Sequence, residues 1–335
     1  MDTVYVEEQV LDHPRTKAIL KRYPRASHIV IDRYGEVFNP HAQNFRIQKH
    51  NPSLILAAKQ NNKVLSTPSQ YETGGGANYY FSHMLNCLYD CRYCFLQGMY
   101  RSANYLLFVN YEDFVDKIKA VAKTHLHDDK PAWFFSGYDC DSLAFEPVSG
   151  FAEHFIGEFR NIPSAVLELR TKSTQIRCLL DQQPLDNVVV AYSLSPENVA
   201  EAVELGAPSL AKRLDALQRL QQHGWRIGLR FDPIIWHQGY QASYIDLFQQ
   251  VFTQLDAQQL DSVTLGGFRL PKGFYKIMRR LHPEHWLFSA GLSEADGMIS
   301  YTPEIEGEVF AVLQQALSDH VADELVYSYP ATTNQ

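Results

Sequence analysis

Six short β-rich runs recur along the chain, each separated from the next by enough residues for a helix. They are NYYFSHML (78–85), AWFFSGY (132–138), SAVLELRT (164–171), NVVVAYSL (187–194), WRIGLRFDPII (225–235) and DSVTLGGF (261–268). Helical patterns fill the gaps. One follows Asn110 with acids in its first turn, and SPENVAEAVEL offers Ser195 as an N-cap with Pro196 at the first helical position. PSLAKRLDALQRLQQHG ends at Gly224. Parallel strands need long crossover connections, so this alternation predicts an α/β fold built on a parallel sheet, open or curled into a partial barrel. Such sheets carry their chemistry at the carboxyl ends of the strands.

Around this repeat, residues 1–77 hold a short α/β pattern read as an N-terminal extension, ending in the linker TGGGAN (73–78). No Gly-Lys-Ser/Thr follows that glycine triplet, so it reads as a turn and not as a phosphate loop. The repeat itself is assigned to 78–270. Residues 271–335 form a C-terminal extension with a hairpin (286–301), a helix from about Pro303 and a last strand, ELVYSY. Of 335 residues 45% are hydrophobic, enough for one large core or two modest ones. The opening MDTVYVEEQVLDHPRTK has no apolar segment and no run approaches a membrane span, so a soluble cytoplasmic protein with no membrane partner is expected.

The formal net charge is −8, yet residues 13–63 hold ten Lys/Arg against Asp32 and Glu36. A second basic stretch, GFRLPKGFYKIMRR (267–280), interleaves Arg269, Lys272, Lys276, Arg279 and Arg280 with aromatic residues. Basic residues among aromatics suit a polyanion such as nucleic acid, although a solvated helix face has the same composition.

Three of the five cysteines, Cys87, Cys91 and Cys94, lie within CLYDCRYCFLQG (87–98), where the first strand of the repeat ends. Five cysteines in a chain this long make no disulfide framework, and a metal or redox role fits better. Either His83 joins the three thiolates around zinc, or the three hold a 4Fe-4S cluster with one iron left open. Structural zinc sites usually take two separated ligand pairs, and a single tight loop suits the cluster better. Cys178, in STQIRCLLDQQ, reads as core.

The C-x3-C-x2-C spacing, with Tyr93 before the third cysteine, resembles the radical S-adenosylmethionine superfamily, whose fold is a partial (βα)6 barrel. YVEEQVLDHPRTKAIL, CRYCFLQG, ELRTKS, YSLSPE and LRFDPII together resemble the spore photoproduct lyases over nearly the whole chain. That resemblance implies a 4Fe-4S cluster on Cys87, Cys91 and Cys94, and S-adenosylmethionine as cofactor. Lys172, Ser193 and Ser195 would then hold the cofactor's carboxylate, ribose and amino groups, with Tyr93, Ser136 and Gly137 also at the cofactor. Asp232, flanked by Phe231 and Pro233, would line the adenine pocket. Cys140 would return a hydrogen atom to the product radical, and Arg269 and Lys272 would contact substrate. The implied reaction is carbon–carbon cleavage that repairs a thymine lesion in damaged DNA, fed by a low-potential donor such as flavodoxin or ferredoxin.

Two departures from the family pattern bear on this. Phe95 stands where the lyases have a tyrosine assigned to the hydrogen relay. The stretch matching their basic, lesion-gripping hairpin is SAGLSEADGMISYTPEIEGE (289–308), with five acids and no Lys or Arg. Radical chemistry on another substrate, such as RNA, a nucleotide or a peptide, is therefore the alternative. A zinc-stabilised binding module stands behind both.

Overall fold

The computed structural model describes residues 1–40, 43–68, 76–289 and 291–331, so residues 73–75 of the glycine linker lie outside the described residues. The chain separates into two compact units, one of residues 1–88 and 99–169, the other of 89–98 and 170–335.

In the first unit, strands β1 (Thr3–Glu7), β2 (Ser27–Ile31), β3 (Leu54–Ala57) and a later strand, Tyr105–Phe108, form a parallel sheet. Its order is β2-β1-β3 followed by Tyr105–Phe108, and Met84–Leu85 closes it antiparallel, Leu85 opposite Leu106. The inner strands LILA and YLLF are buried at every position, as strands covered on both faces must be. Edge strand β2 buries only Ile31.

The same unit carries β4 (Asn78–Tyr80), β5 (Ala132–Ser136) and most of β6 (Ala165–Thr171), all parallel. Helix Tyr111–Thr124 buries Tyr111, Phe114, Val115, Ile118 and Ala122 at helical spacing, with Glu112 and Asp113 favourably placed in its first turn. Helix Phe151–Phe159 has no capping side chain at its own N-cap, Gly150. The buried Glu146 carboxylate substitutes for one, accepting from the backbone N–H of Ala152 at 2.7 Å and Glu153 at 3.1 Å.

In the second unit β7 (Val188–Ser193), β8 (Arg226–Ile234), β9 (Leu260–Gly267) and the C-terminal strand Val326–Tyr329 are parallel neighbours in that order. Within the first unit the strand order is β6, β5, β4 and the short strand Leu65–Ser66, and within the second it is β7, β8, β9 and Val326–Tyr329. Helix Leu210–His223 ends at Gly224, whose φ of 98° gives the left-handed C-cap that glycine adopts without strain. Arg269–Pro271, Leu292–Ala295 and Met298–Tyr301 make a separate antiparallel sheet, so the hairpin forms where its sequence indicates. Helix Pro303–Ser318 follows it. No described helix is long and apolar enough to cross a membrane.

Three expectations are corrected. The run 78–85 is two strands, not one. Between them the chain passes from one sheet to the other: the Phe81 N–H donates to the Phe135 carbonyl at 3.1 Å, and the His83 carbonyl accepts from the Phe108 N–H at 2.9 Å. Ser195 is not an N-cap: the helix is Glu197–Val203, its N-cap is Pro196, and the Ser195 hydroxyl donates instead to Glu204. Cys178 is half-buried; in its helix Arg177–Leu180 the buried place belongs to Leu179.

Candidate active site

Cys91 and Cys94 belong to the second unit, on a loop held from within. The backbone N–H of Cys94 donates to the Cys91 carbonyl at 3.0 Å, and that of Gln97 to the Cys94 carbonyl at 3.2 Å. The Gln97 amide donates to the Cys91 carbonyl at 2.7 Å and to Asp90 at 3.0 Å, and its oxygen pairs with His282 Nε2 at 2.8 Å. Next to it, Gly98 runs against helix Lys272–Leu281. A Cβ at 98 would sit 2.5 Å from Phe274 Cβ and 2.7 Å from Phe274 Cα. The Leu-Gln-Gly that follows the third cysteine therefore has a mechanical reason: the amide staples the loop and the glycine permits the approach.

Beside this loop lies a carboxylate that the sequence reading missed. Glu204 is fully buried on a two-residue strand, Glu204–Leu205, paired antiparallel with Asp90–Cys91. One of its oxygens accepts from the Tyr93 hydroxyl and, at 3.1 Å, from the Ser195 hydroxyl, and lies 3.8 Å from Lys172 Nζ. The other accepts from Arg213 Nη2 at 2.5 Å. The Lys172 ammonium also lies 5.5 Å from the centre of the Tyr93 ring. Three predicted cofactor residues from separate stretches of chain thus meet at one carboxylate. The available signal was Arg213, a charged residue at the core-facing register of a helix that buries Leu210, Leu214 and Leu217.

Burial alone raises the Glu204 carboxyl, but Lys172, Arg213 and the hydrogen bonds from Tyr93 and Arg213 outweigh it and hold the group below the usual carboxylate range. Tyr93 moves the other way. Burial first, then the Glu204 and Cys91 charges, push its phenol well up, so it remains a hydrogen-bond donor.

Other predicted residues of this unit are spread along strand ends. Ser193, the last residue of β7, is buried, and its carbonyl accepts from Arg213 Nη1 at 3.1 Å. Asp232 pairs loosely with Arg170, at 3.8 Å, and a Cβ on Gly266 would collide with its carboxyl group, so glycine at 266 makes room for it. Phe231 is fully buried with its ring 4.9 Å from that of Phe248, a core position. Lys272 is bound to Glu294 of the hairpin at 2.6 Å, and Arg269 donates to the Gly267 carbonyl at 2.9 Å.

The first unit holds Cys87, Ser136, Gly137 and Cys140. The Cys87 carbonyl accepts from Lys49 Nζ at 2.6 Å. Ser136 is committed internally, to Ser142 Oγ at 2.8 Å and the Glu168 carbonyl at 3.0 Å. Gly137 makes the turn that leaves β5 with a φ of 82°.

Cys140 is buried, its sulfur 4.0 Å from His83 Nδ1. Burial above all, and then Cys87, Asp141 and Asp139, push its thiol well up, so the S–H bond is retained. The neighbouring Asp139 is also raised by burial, an effect that Ser82, Lys59 and Tyr100 oppose. His83 titrates at about 3 through burial and the Lys59 charge, and its ring stacks on Phe151 with centroids 3.5 Å apart. The zinc reading needs this histidine as fourth ligand; its Nδ1 faces the Cys140 sulfur and its ring packs on Phe151.

All five cysteines are reduced thiols. Cysteine thiolates are the ligands that iron–sulfur clusters take, and three of them leave one iron of four for another ligand, so the donor set fits a 4Fe-4S cluster. Among the described residues no group of three or more His, Cys, Asp or Glu is arranged to hold a metal ion. The fit therefore rests on donor chemistry and spacing.

Residues 1–287 match the family model described as Spore photoproduct lyase. The spore photoproduct lyase of Bacillus subtilis (strain 168) is 22% identical over 292 residues, covering 84% of this chain and 82% of that protein. That of Geobacillus sp. (strain Y412MC61) is 24% identical over 213 residues, 62% of this chain and 61% of that one. Among solved structures, a spore photoproduct lyase variant with bound S-adenosylmethionine and dinucleoside spore photoproduct superposes with a TM-score of 0.84. It is 18% identical, and the match covers 99% of this chain and 98% of that one. A second, complexed with dinucleoside spore photoproduct, gives a TM-score of 0.83 at 19% identity, covering 98% of each chain. These likenesses show the fold, and with it the partial-barrel reading.

Proposed function

The chain belongs to the spore photoproduct lyase family, and on that premise we propose that it is a radical S-adenosylmethionine carbon–carbon lyase acting on a thymine lesion in DNA. Cys87, Cys91 and Cys94 would hold a 4Fe-4S cluster, which together with S-adenosylmethionine would supply the radical chemistry that takes a hydrogen atom from the substrate. The observation that carries the reading is the meeting of Tyr93, Lys172 and Ser195 at one buried carboxylate, in the unit that also holds Cys91 and Cys94.

Each residue then has a task. Lys172 binds the cofactor carboxylate and Ser195 its amino group. Ser193 takes the ribose, and Asp232 stands at the adenine. Ser136 and Gly137 shape the turn after β5 on the cofactor side. Cys140 keeps its hydrogen in a dry setting and gives it to the product radical, becoming a thiyl. Arg269 and Lys272 serve the lesion's phosphates, and a flavodoxin or ferredoxin delivers the electron. The lesion must leave the base stack to be reached, at a cost of a few kcal/mol.

The test is anaerobic reconstitution, then incubation with S-adenosylmethionine, reductant and an oligonucleotide carrying the thymine lesion. Restored thymines with 5′-deoxyadenosine formed support the proposal. Cofactor cleavage without restored thymines would move the chain to the second reading, the same chemistry on RNA, a nucleotide or a peptide. The Glu294–Lys272 pair favours that reading, because the hairpin acid neutralises a cation meant for phosphate.

A further inference from the structure

The Glu204–Arg213 pair is absent from the roles above, yet it touches four of the predicted cofactor residues, Tyr93, Lys172, Ser193 and Ser195. We propose that Glu204, locked in place by Arg213, is a positioning carboxylate that sets Lys172, Tyr93 and Ser195 for the amino-acid end of the cofactor. This rests on the functional reading just given and deepens it.

Burying an ion pair seldom stabilises a fold more than well-packed apolar side chains do, so a fully buried pair needs another reason to be there. The geometry supplies one. Arg213 is held at three nitrogens: Nη2 donates to Glu204, Nη1 to the Ser193 carbonyl at 3.1 Å and Nε to the Pro208 carbonyl at 2.8 Å. The guanidinium is a planar fork that offers all three donors at once, which lysine cannot reproduce. Glu204 is fixed from its backbone as well, by the antiparallel bridge that sets it opposite Cys91. Its other oxygen faces Tyr93, Ser195 and Lys172.

Two cations share this one carboxylate, and they do so unequally. Arg213 is at 2.5 Å and Lys172 at 3.8 Å, on a flexible four-carbon stem. Arg213 satisfies the buried charge whether or not Lys172 stays. Lys172 can therefore turn to an incoming carboxylate without stranding Glu204, while the Ser195 hydroxyl and the Tyr93 ring keep their places. The incoming group this arrangement suits is an α-amino acid head, a carboxylate for Lys172 beside an ammonium that Glu204 attracts. The backbone of the same residue ties that site to the Cys91 loop.

The test uses the full chain, reconstituted anaerobically, as wild type, Glu204→Gln and Arg213→Lys. Iron content, S-adenosylmethionine affinity by equilibrium dialysis, and the change in the reduced cluster's electron paramagnetic resonance spectrum on adding S-adenosylmethionine are measured for each. The expected result is wild-type iron content with affinity weakened roughly 10–100-fold, the scale for losing a group that orients a ligand-binding residue. The spectral change should need correspondingly more S-adenosylmethionine. If Glu204→Gln does not fold, Arg213→Lys, which keeps the charge and loses the fork, decides by the same affinity measurement. Wild-type affinity in a folded variant overturns the positioning role alone. A wild type that takes up no iron and binds no S-adenosylmethionine overturns the functional reading on which it stands.

Discussion

Replacing Gly98 by alanine sets two opposed effects against each other. Leu96–Met99 is helical, and alanine is favoured over glycine in a helix by about 1 kcal/mol. Against this, a Cβ at 98 would lie 2.5 Å from Phe274 Cβ, 2.7 Å from its Cα and 2.8 Å from its carbonyl oxygen. Comfortable carbon–carbon contact is about 3.5–4.0 Å, so the overlap is roughly 1 Å. Two of the three atoms are backbone, and no rotamer change clears them. Overpacking of this kind costs about 1–3 kcal/mol, and backbone contact puts this site near the upper end. The clash wins, with a net loss of roughly 1–2 kcal/mol. It relaxes by shifting the turn that carries Cys94 and Gln97. Thermal unfolding of the metal-free protein should show a melting temperature lowered by several degrees, and anaerobic reconstitution should give less iron than wild type. Adding Phe274→Ala should not rescue the variant, because alanine keeps the three offending atoms. A melting temperature at or above wild type, with full iron content, would refute the argument.

Glu204→Ala leaves the Arg213 charge buried without its carboxylate and should cost about 3–5 kcal/mol in denaturant unfolding, well beyond an ordinary core substitution. His83 titrates at about 3 when folded against 6.5 unfolded, so the unfolded state binds the extra proton. Stability is complete above pH 6.5 and falls as pH drops below it, by about 2 kcal/mol at pH 5. His83→Phe should flatten that slope between pH 7 and 5, and an unchanged slope would assign it elsewhere. Cys140→Ala should preserve cofactor cleavage and lower the yield of restored thymines; equal loss of both would count against a hydrogen-donor role. Glu294→Lys breaks an exposed pair worth about 0–1 kcal/mol, so melting should hold, while affinity for duplex DNA rises and becomes more salt-dependent.

The parallel repeat was legible because five of its six strands are short β-rich runs set a helix apart, and the observed bounds fall within a residue or two of the expected ones. The sixth failed because the chain changes sheets within it, pairing with 133–135 up to Phe81 and with 106–108 from His83 on, which no window along the chain can register. Ser195 misled in the same way. A serine ahead of Pro-Glu reads as a cap, and here its hydroxyl goes to Glu204. The cysteine loop was legible from spacing, while the group that organises its surroundings was not, since a glutamate in VELGAP looks like any solvated acid. Arg213 alone broke its local pattern, and that is the kind of inconsistency by which a functional site shows itself.

The short bridge between Glu204–Leu205 and Asp90–Cys91 also sets an order of assembly. Cys91 leaves the ribosome more than a hundred residues before the strand that fixes its loop, and at roughly 5–20 residues per second that interval lasts several seconds. Until then the nascent loop has neither its backbone partner nor the carboxylate that receives Tyr93. Iron delivered during synthesis would meet cysteines whose spacing is set and whose geometry is not. On the proposed reading, cluster insertion is expected to be a late event, to be sought in the finished chain and not on the ribosome.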